Sequence, residues 1–135
     1  MSDNRLERLK VVAVDDDADT RDLLRVILQR SSAHATVVSS GAEALEAIKK
    51  IRPDVLVCDL GMSRMDGYEL LENVRRLEPD LGRLPSIAFT AAARTEDRIR
   101  CRRAGFQAHL VKPVLADELV TTIVEVVKPH SRRQS

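Results

Sequence analysis

The sequence predicts one α/β domain: a doubly wound, parallel sheet of five strands with helices on both faces. Short apolar, β-branched runs alternate five times with segments of helical spacing, and the connections between them are short. The runs are near-continuously apolar, as strands are when helices cover both faces of a sheet. With 135 residues, 44% of them hydrophobic, the chain has material for one substantial core and no second folded domain is expected.

The first strand, Val11 to Val14, leads into a helix whose apolar positions are Leu23, Leu24, Ile27 and Leu28. The second, Ala35 to Val38, precedes a helix carrying Ala44, Leu45, Ala47 and Ile48. Its start reads as a capping box, Ser40-Gly41-Ala42-Glu43, in which Ser40 accepts from a free backbone N–H and Glu43 reaches back. The third strand, Val55 to Cys58, is followed by a helix with Leu70, Leu71 and Val74, and the fourth is Ile87 to Phe89. The next helix, from about Thr95, is mostly charged between Arg94 and Arg103, so with Ile99 and Cys101 as its few apolar members it is expected to pack weakly. After the fifth strand, Ala108 to Val111, a last helix of roughly Ala116 to Val127 aligns Leu119, Val120, Ile123, Val124 and Val127 and sets Asp117 and Glu118 against its dipole. Residues 1–9 read as an N-terminal extension, loose from Met1 to Arg8. Residues 10–128 form the domain, and 129–135 read as a disordered basic tail, with Pro129 breaking the helix.

Composition narrows the function classes. Twenty-two basic against 21 acidic residues leave a net charge of +1, so nothing in the bulk charge attracts nucleic acid or a membrane. The aromatic residues are Tyr68, Phe89 and Phe106, too few for base-stacking platforms. Cys58 and Cys101 make no disulfide framework. No apolar run approaches the roughly 20 residues of a spanning helix, and the charged N-terminus lacks a signal peptide's apolar run. A soluble protein of the reducing cytoplasm is expected.

In open parallel sheets ligands bind beyond the carboxyl ends of the strands, where the strand order reverses. The polar residues at those ends are Asp15-Asp16-Asp17, Asp59, Thr90 and Lys112-Pro113. If the order is 2-1-3-4-5, then Asp15, Asp16 and Asp59 converge on one crevice. Two unit charges about 4 Å apart repel by roughly 4 kcal/mol at an effective dielectric near 20. Three ionised carboxylates therefore need a cation or raised pKa values. Oxygen ligands without a nearby His or Cys favour Mg²⁺, which completes its shell with water and phosphate oxygens. Lys112 adds a compact positive charge and Thr90 a hydroxyl, both suited to a phosphoryl group on a carboxylate. No Ser/His/Asp arrangement, Gly-rich phosphate loop or Cys/His metal spacing competes.

Together, Val14-Asp15-Asp16-Asp17, Asp59-Leu60-Gly61-Met62, Met65-Asp66-Gly67, Phe89-Thr90-Ala91 and Val111-Lys112-Pro113 resemble the receiver domain of bacterial response regulators. The resemblance covers about Lys10 to Val127 and implies the flavodoxin-like (βα)5 fold with strand order 2-1-3-4-5. It implies that Asp59 accepts a phosphoryl group from a phosphohistidine on a sensor histidine kinase or a histidine phosphotransfer protein. Asp16 and Asp59 would ligate Mg²⁺ directly with the backbone carbonyl of Gly61, and Asp15 largely through water. Thr90 would hydrogen-bond the phosphoryl oxygen and Lys112 would pair with it. His109 occupies the position where the family usually carries a Tyr or Phe that changes rotamer on activation, and an imidazole there suggests a pH-sensitive switch. The peptide bond between Lys112 and Pro113 is expected to be cis.

This chain departs from the family at Ser63, where proline is frequent, and carries small residues, Gly61 and Ala92, at positions that influence phosphoryl lifetime. Cys58 and Cys101 read as packing residues. The helix bearing Arg94, Arg98, Arg100, Arg102 and Arg103 is a solvated face or a docking surface. The resemblance implies a signalling domain with only self-phosphorylation and self-dephosphorylation chemistry, and possible dimerisation on activation. Its output would go to an effector protein or to a covalently linked kinase module, since the loops also look similar to receivers of hybrid histidine kinases. Two alternatives stay open: a binding scaffold that is not phosphorylated, and an aspartyl-phosphate phosphatase. The phosphatase would need a second carboxylate two residues after Asp59, where Gly61 stands.

Overall fold

The computed structural model describes residues 4–91 and 94–134, with side chains as far as Lys128. Strands β1 (Lys10–Val14), β2 (His34–Val38), β3 (Val55–Asp59), β4 (Ser86–Thr90) and β5 (Ala108–Val111) form one sheet in the order β2-β1-β3-β4-β5. Every pairing is parallel. Strand order reverses between β1 and β3, which are direct neighbours. Two of the five strands are a residue longer than the apolar runs at their start, one is longer at its end, and one at both, because polar residues continue the ladder where their side chains meet solvent or the site or, as for the buried Ser86, find a hydrogen-bond partner in Leu84 O.

Alternation along each strand divides the core in two. Val11, Ala13, Val55, Val57, Ile87 and Phe89 pack with helices α1 (Ala18–Arg30) and α6 (Ala116–Gln134). Val12, Val14, Leu56, Cys58 and Ala88 pack with α2 (Gly41–Ile51), α3 (Gly67–Arg75), α4 (Pro79–Gly82) and α5 (Thr95–Ala104). The three central strands carry fully buried apolar side chains, whereas those of β2 and β5 are half-buried, as expected of edge strands.

Helix starts are set by side-chain caps. Asp17 accepts from the Thr20 N–H at 2.9 Å, Ser40 from the Glu43 N–H at 3.2 Å, and Asp66 from the Glu69 N–H at 2.9 Å. In the box before α2 the return arm lands one residue earlier than expected, because Glu43 Oε1 accepts from the Ser39 N–H at 3.0 Å. Gly67 admits no side chain: a Cβ there would lie 2.8 Å from the Asp59 carbonyl oxygen and 2.9 Å from Leu60 Cα. That close approach seats the start of α3 against the end of β3. Gly105 closes α5 in the left-handed region at φ 108°.

Three parts of the sequence reading are corrected. The N-terminal segment is tied down from Asn4 onward, since Leu6 is wholly buried against the α1 and α6 core and donates its N–H to Ser31 O at 3.0 Å. Leu6 and Leu9 stand alone among charged residues, too few to establish a period that would announce this. Helix α6 continues through Pro129 to Gln134, so the segment read as a tail starts inside it. Proline costs a helix one donor and crowds the preceding turn, which can bend a helix without ending it. Helix α4 was not expected; at 4 residues it is too short to show a period. The expectation for α5 is borne out: Cys101 is its buried apolar residue and Ile99 is 49% exposed.

Candidate functional site

The first turn after β1 brings three acids to the carboxyl edge and gives each a different setting. Asp15 is wholly buried, Asp16 is exposed, and Asp17 is spent as the cap of α1. Asp15 is fixed from several sides. Its N–H donates to Val38 O at 3.2 Å, its Oδ1 accepts from the Asp17 N–H at 2.8 Å, and its carbonyl accepts from Arg21 at 3.0 Å. Asp59 ends β3 and is 4% exposed. Its Oδ1 accepts from the Gly61 N–H at 3.1 Å, which sets the plane of the carboxylate.

Lys112, directly after β5, reaches over the edge to both buried acids. Its Nζ lies 3.0 Å from Asp15 Oδ2 and 3.3 Å from Asp59 Oδ1, and 5.1 Å from the centre of the Phe89 ring. The approach to Asp15 Oδ2 is close enough for an ion pair but is not directed as a hydrogen bond, so that buried oxygen has no hydrogen-bond partner. The Lys112–Pro113 peptide bond is cis, as the resemblance implies. Thr90 ends β4 beside Val111, and its carbonyl accepts from the Lys112 N–H at 2.8 Å, which links the two strand ends.

Carboxylate oxygens of Asp15, Asp16 and Asp59 lie within 4.8 Å of one another. Burial, followed by the neighbouring charge of Asp15, holds the Asp59 pKa above the usual carboxylate range, although the Gly61 N–H and Lys112 pull it down. Burial alone would lower the Lys112 pKa, but Asp15 and Asp59 together outweigh it and hold the ammonium protonated above its ordinary range. The topology thus assembles two buried carboxylates and one exposed one, with a single cation shared between the buried pair. This is a site of surplus negative charge that suits a hard cation and an anionic group together.

Gly61 is exposed, and a Cβ there would sit 3.9 Å from Asp59 Oδ1, so its missing side chain leaves open space beside the Asp59 carboxylate. Ala92 lies outside the described residues. Cys58 is buried with its thiol pKa pushed far up by burial and by Asp59, consistent with packing rather than chemistry. His109 stands on β5 opposite Ala88 and beside α5. Both its ring nitrogens are buried without hydrogen-bond partners. Burial first, then Arg98, lowers its pKa, with Asp97 opposing. The titration is therefore displaced downward from that of a free imidazole.

Two features escaped the sequence reading. The Ser63 N–H donates to Asp16 Oδ2 at 3.1 Å, and nothing but the absence of proline at that position could have signalled it. Arg75 clamps two connections, α4 to β4 and α5 to β5, donating to Gly82 O, Leu84 O and Gly105 O at 2.9 to 3.0 Å, and one arginine among many offers no sign of this. A broad surface hollow lies at the opposite edge of the sheet, near Arg52, Asp54 and Arg83, and contains none of the candidate residues.

An acid crevice at the switch point of a flavodoxin-like sheet, closed by a lysine from the last strand, defines a class of signalling domains. Comparison with known proteins agrees. The sequence model for the response regulator receiver domain matches residues 11–124, and the chain belongs to that family, the receiver domains of two-component signalling. It is 45% identical over 118 residues to an uncharacterized 14.6 kDa protein in the sodA1 3′ region of Leptolyngbya boryana, covering 87% of this chain and 89% of that one. It is 35% identical over 115 residues to the response regulator MprA of Mycobacterium leprae, covering 85% of this chain and 49% of MprA, so the chain spans about half the length of that relative. Among solved structures, the Vibrio cholerae chemotaxis protein CheY4 superposes with a TM-score of 0.82 at 30% identity, covering 87% of this chain and 98% of CheY4. No helix among the described residues is long and apolar enough to cross a membrane.

Proposed function

We propose that this receiver domain takes a phosphoryl group onto Asp59 from a phosphohistidine of a sensor histidine kinase or a histidine phosphotransfer protein. The observation that carries the reading is Lys112 bridging Asp15 and Asp59 across the point where strand order reverses. The donor set fits Mg²⁺: three carboxylates with oxygens within 4.8 Å, and an Asp15 oxygen without a hydrogen-bond partner. Asp15, Asp16, Asp59 and the Gly61 carbonyl would hold the ion, which when bound supplies neutralising charge for the phosphoryl oxygens.

The remaining work belongs to the chain's own groups. A carboxylate oxygen of Asp59 attacks phosphorus; the O–P bond forms as the N–P bond to the donor imidazole breaks, and that nitrogen keeps the electron pair and takes a proton. The Gly61 N–H fixes the attacking carboxylate. Lys112, held in the edge by Asp15, turns its ammonium to the incoming phosphoryl oxygens, and the Thr90 hydroxyl donates to one of them. The step follows the pattern of phosphoryl transfer generally, in which positioning and charge stabilisation supply most of the catalysis.

Output follows from the new bonds. Moving a two-state equilibrium from 1:99 to 99:1 takes about 5.5 kcal/mol. A phosphoryl group makes one to three charge-assisted hydrogen bonds of roughly 1.5 to 3 kcal/mol each, so Thr90, Lys112 and one loop N–H suffice. His109, on the strand that ends at Lys112, is the switch residue, and the surface beside it passes the signal to an effector protein or a linked kinase module, with dimerisation as one outcome. The domain works in the cytoplasm and carries only self-phosphorylation and self-dephosphorylation chemistry.

The test is intact mass after incubation with Mg²⁺ and acetyl phosphate, for the wild type beside Asp59→Asn. One phosphoryl adduct that disappears in the variant supports the reading. Turnover of unrelated phosphomonoesters would indicate a phosphatase instead, and no adduct with any donor would leave a binding scaffold.

A further inference from the structure

Each of the three acids has a backbone donor, but only Asp16 lacks every other restraint. Asp15 is buried and held by the Asp17 N–H and Lys112, and Asp59 is buried and held by the Gly61 N–H and Lys112. Asp16 is exposed, and its carboxylate is tied by the Ser63 N–H, 47 residues away in sequence, at 3.1 Å. An exposed aspartate explores several rotamers, and only some of them keep an oxygen beside the other two acids. The tethered conformation is the one in which the three carboxylates come within 4.8 Å.

We infer that the Ser63 backbone N–H is a positioning donor that pre-sets Asp16 as a metal ligand and couples the metal site to the loop between β3 and α3. This rests on the magnesium reading above. A carboxylate oxygen has lone pairs for two partners, so Asp16 keeps the tether while it ligates. The donor is the main chain, so the serine hydroxyl is immaterial and any residue except proline serves. Proline at this position would leave Asp16 to be ordered by the ion itself, at the ion's expense in affinity.

The experiment titrates Mg²⁺ alone into the full chain and follows the amide resonances of Asp17 and Gly61, for the wild type, Ser63→Ala and Ser63→Pro. Ser63→Ala is expected to bind as the wild type does, and Ser63→Pro about fivefold more weakly. Equal affinity of the two variants overturns the inference alone, whereas a wild type that binds no Mg²⁺ overturns the metal reading and the inference with it. A second measurement needs no proline variant and covers the case in which it misfolds: hydrogen exchange at the Ser63 amide. Protection that persists at saturating Mg²⁺ and is lost in Asp16→Ala supports the tether, and exchange that quickens when Mg²⁺ is added shows that the ion and the amide compete, which contradicts it.

Discussion

The acid crevice over β1 and β3 and the flank around β5 and α5 both bury polar groups, and they compensate them differently. In the crevice each carboxylate has a backbone donor, and one lysine serves the two buried acids. On the flank, the two nitrogens of His109 are buried without partners. The covering helix is anchored by Cys101, whose Sγ lies 3.5 Å from the Tyr68 hydroxyl, while Arg100 stacks 3.9 Å over the Tyr68 ring. The crevice thus braces its carboxylates from the main chain, whereas the flank leaves its buried imidazole uncompensated. Under the proposed function the charge arrives in the braced region and is reported from the uncompensated one.

The largest effect should come from breaking the shared cation. Lys112→Met leaves Asp15 and Asp59 buried together without a counter-charge. Losing one partner of a buried pair costs about 3–5 kcal/mol, and screening of a lysine that is 26% exposed brings the expected loss to about 2–3 kcal/mol. Urea unfolding at low salt measures this, and Mg²⁺ should recover part of it in the variant.

On the flank, Cys101→Ser puts a smaller, more polar hydroxyl into a buried site where the Tyr68 hydroxyl is its polar neighbour, and should cost about 1–2 kcal/mol. Its signature is local: amide exchange speeds up in α5 and stays unchanged in α2. Uniform acceleration across both helices would erase the contrast between the two regions.

Asp59→Asn is expected to raise the unfolding temperature at pH 7, since burial and Asp15 disfavour the charge that the substitution removes. The sign follows from linkage. A carboxyl with a raised folded-state pKa penalises the fold above that pKa and regains stability as pH falls through it, so the gain in the variant should shrink in acid. For His109 the folded pKa is lowered, so its contribution to stability is present above the ordinary value of 6.5 and is lost as pH falls below it. His109→Phe should flatten the decline in stability below pH 6.5, a small effect measured by thermal unfolding at several pH values.

Much of this contrast was legible in the residues. Apolar runs and helical spacing marked the strands and main helices, and the polar residue after each run marked the site edge, because a parallel sheet sends every strand end to one side. The charged stretch from Arg94 to Arg103 announced a weakly packed helix for the same reason that it shows little amphipathic pattern. The burial of Leu6, the Arg75 clamp and the Ser63 tether were not legible, because each depends on a tertiary contact between distant residues with no local period. The His109 environment was half-visible: its position was marked, but the burial that lowers its pKa comes from the helix packed beside it.

The most direct test asks which atom carries the phosphoryl group. Reduction of the phosphorylated protein with borohydride converts an aspartyl phosphate to homoserine, and peptide mass spectrometry then locates it. Homoserine at position 59, and at no other aspartate, is the result predicted here; homoserine at Asp15 or Asp16, or none in a sample that bears the adduct, would contradict it.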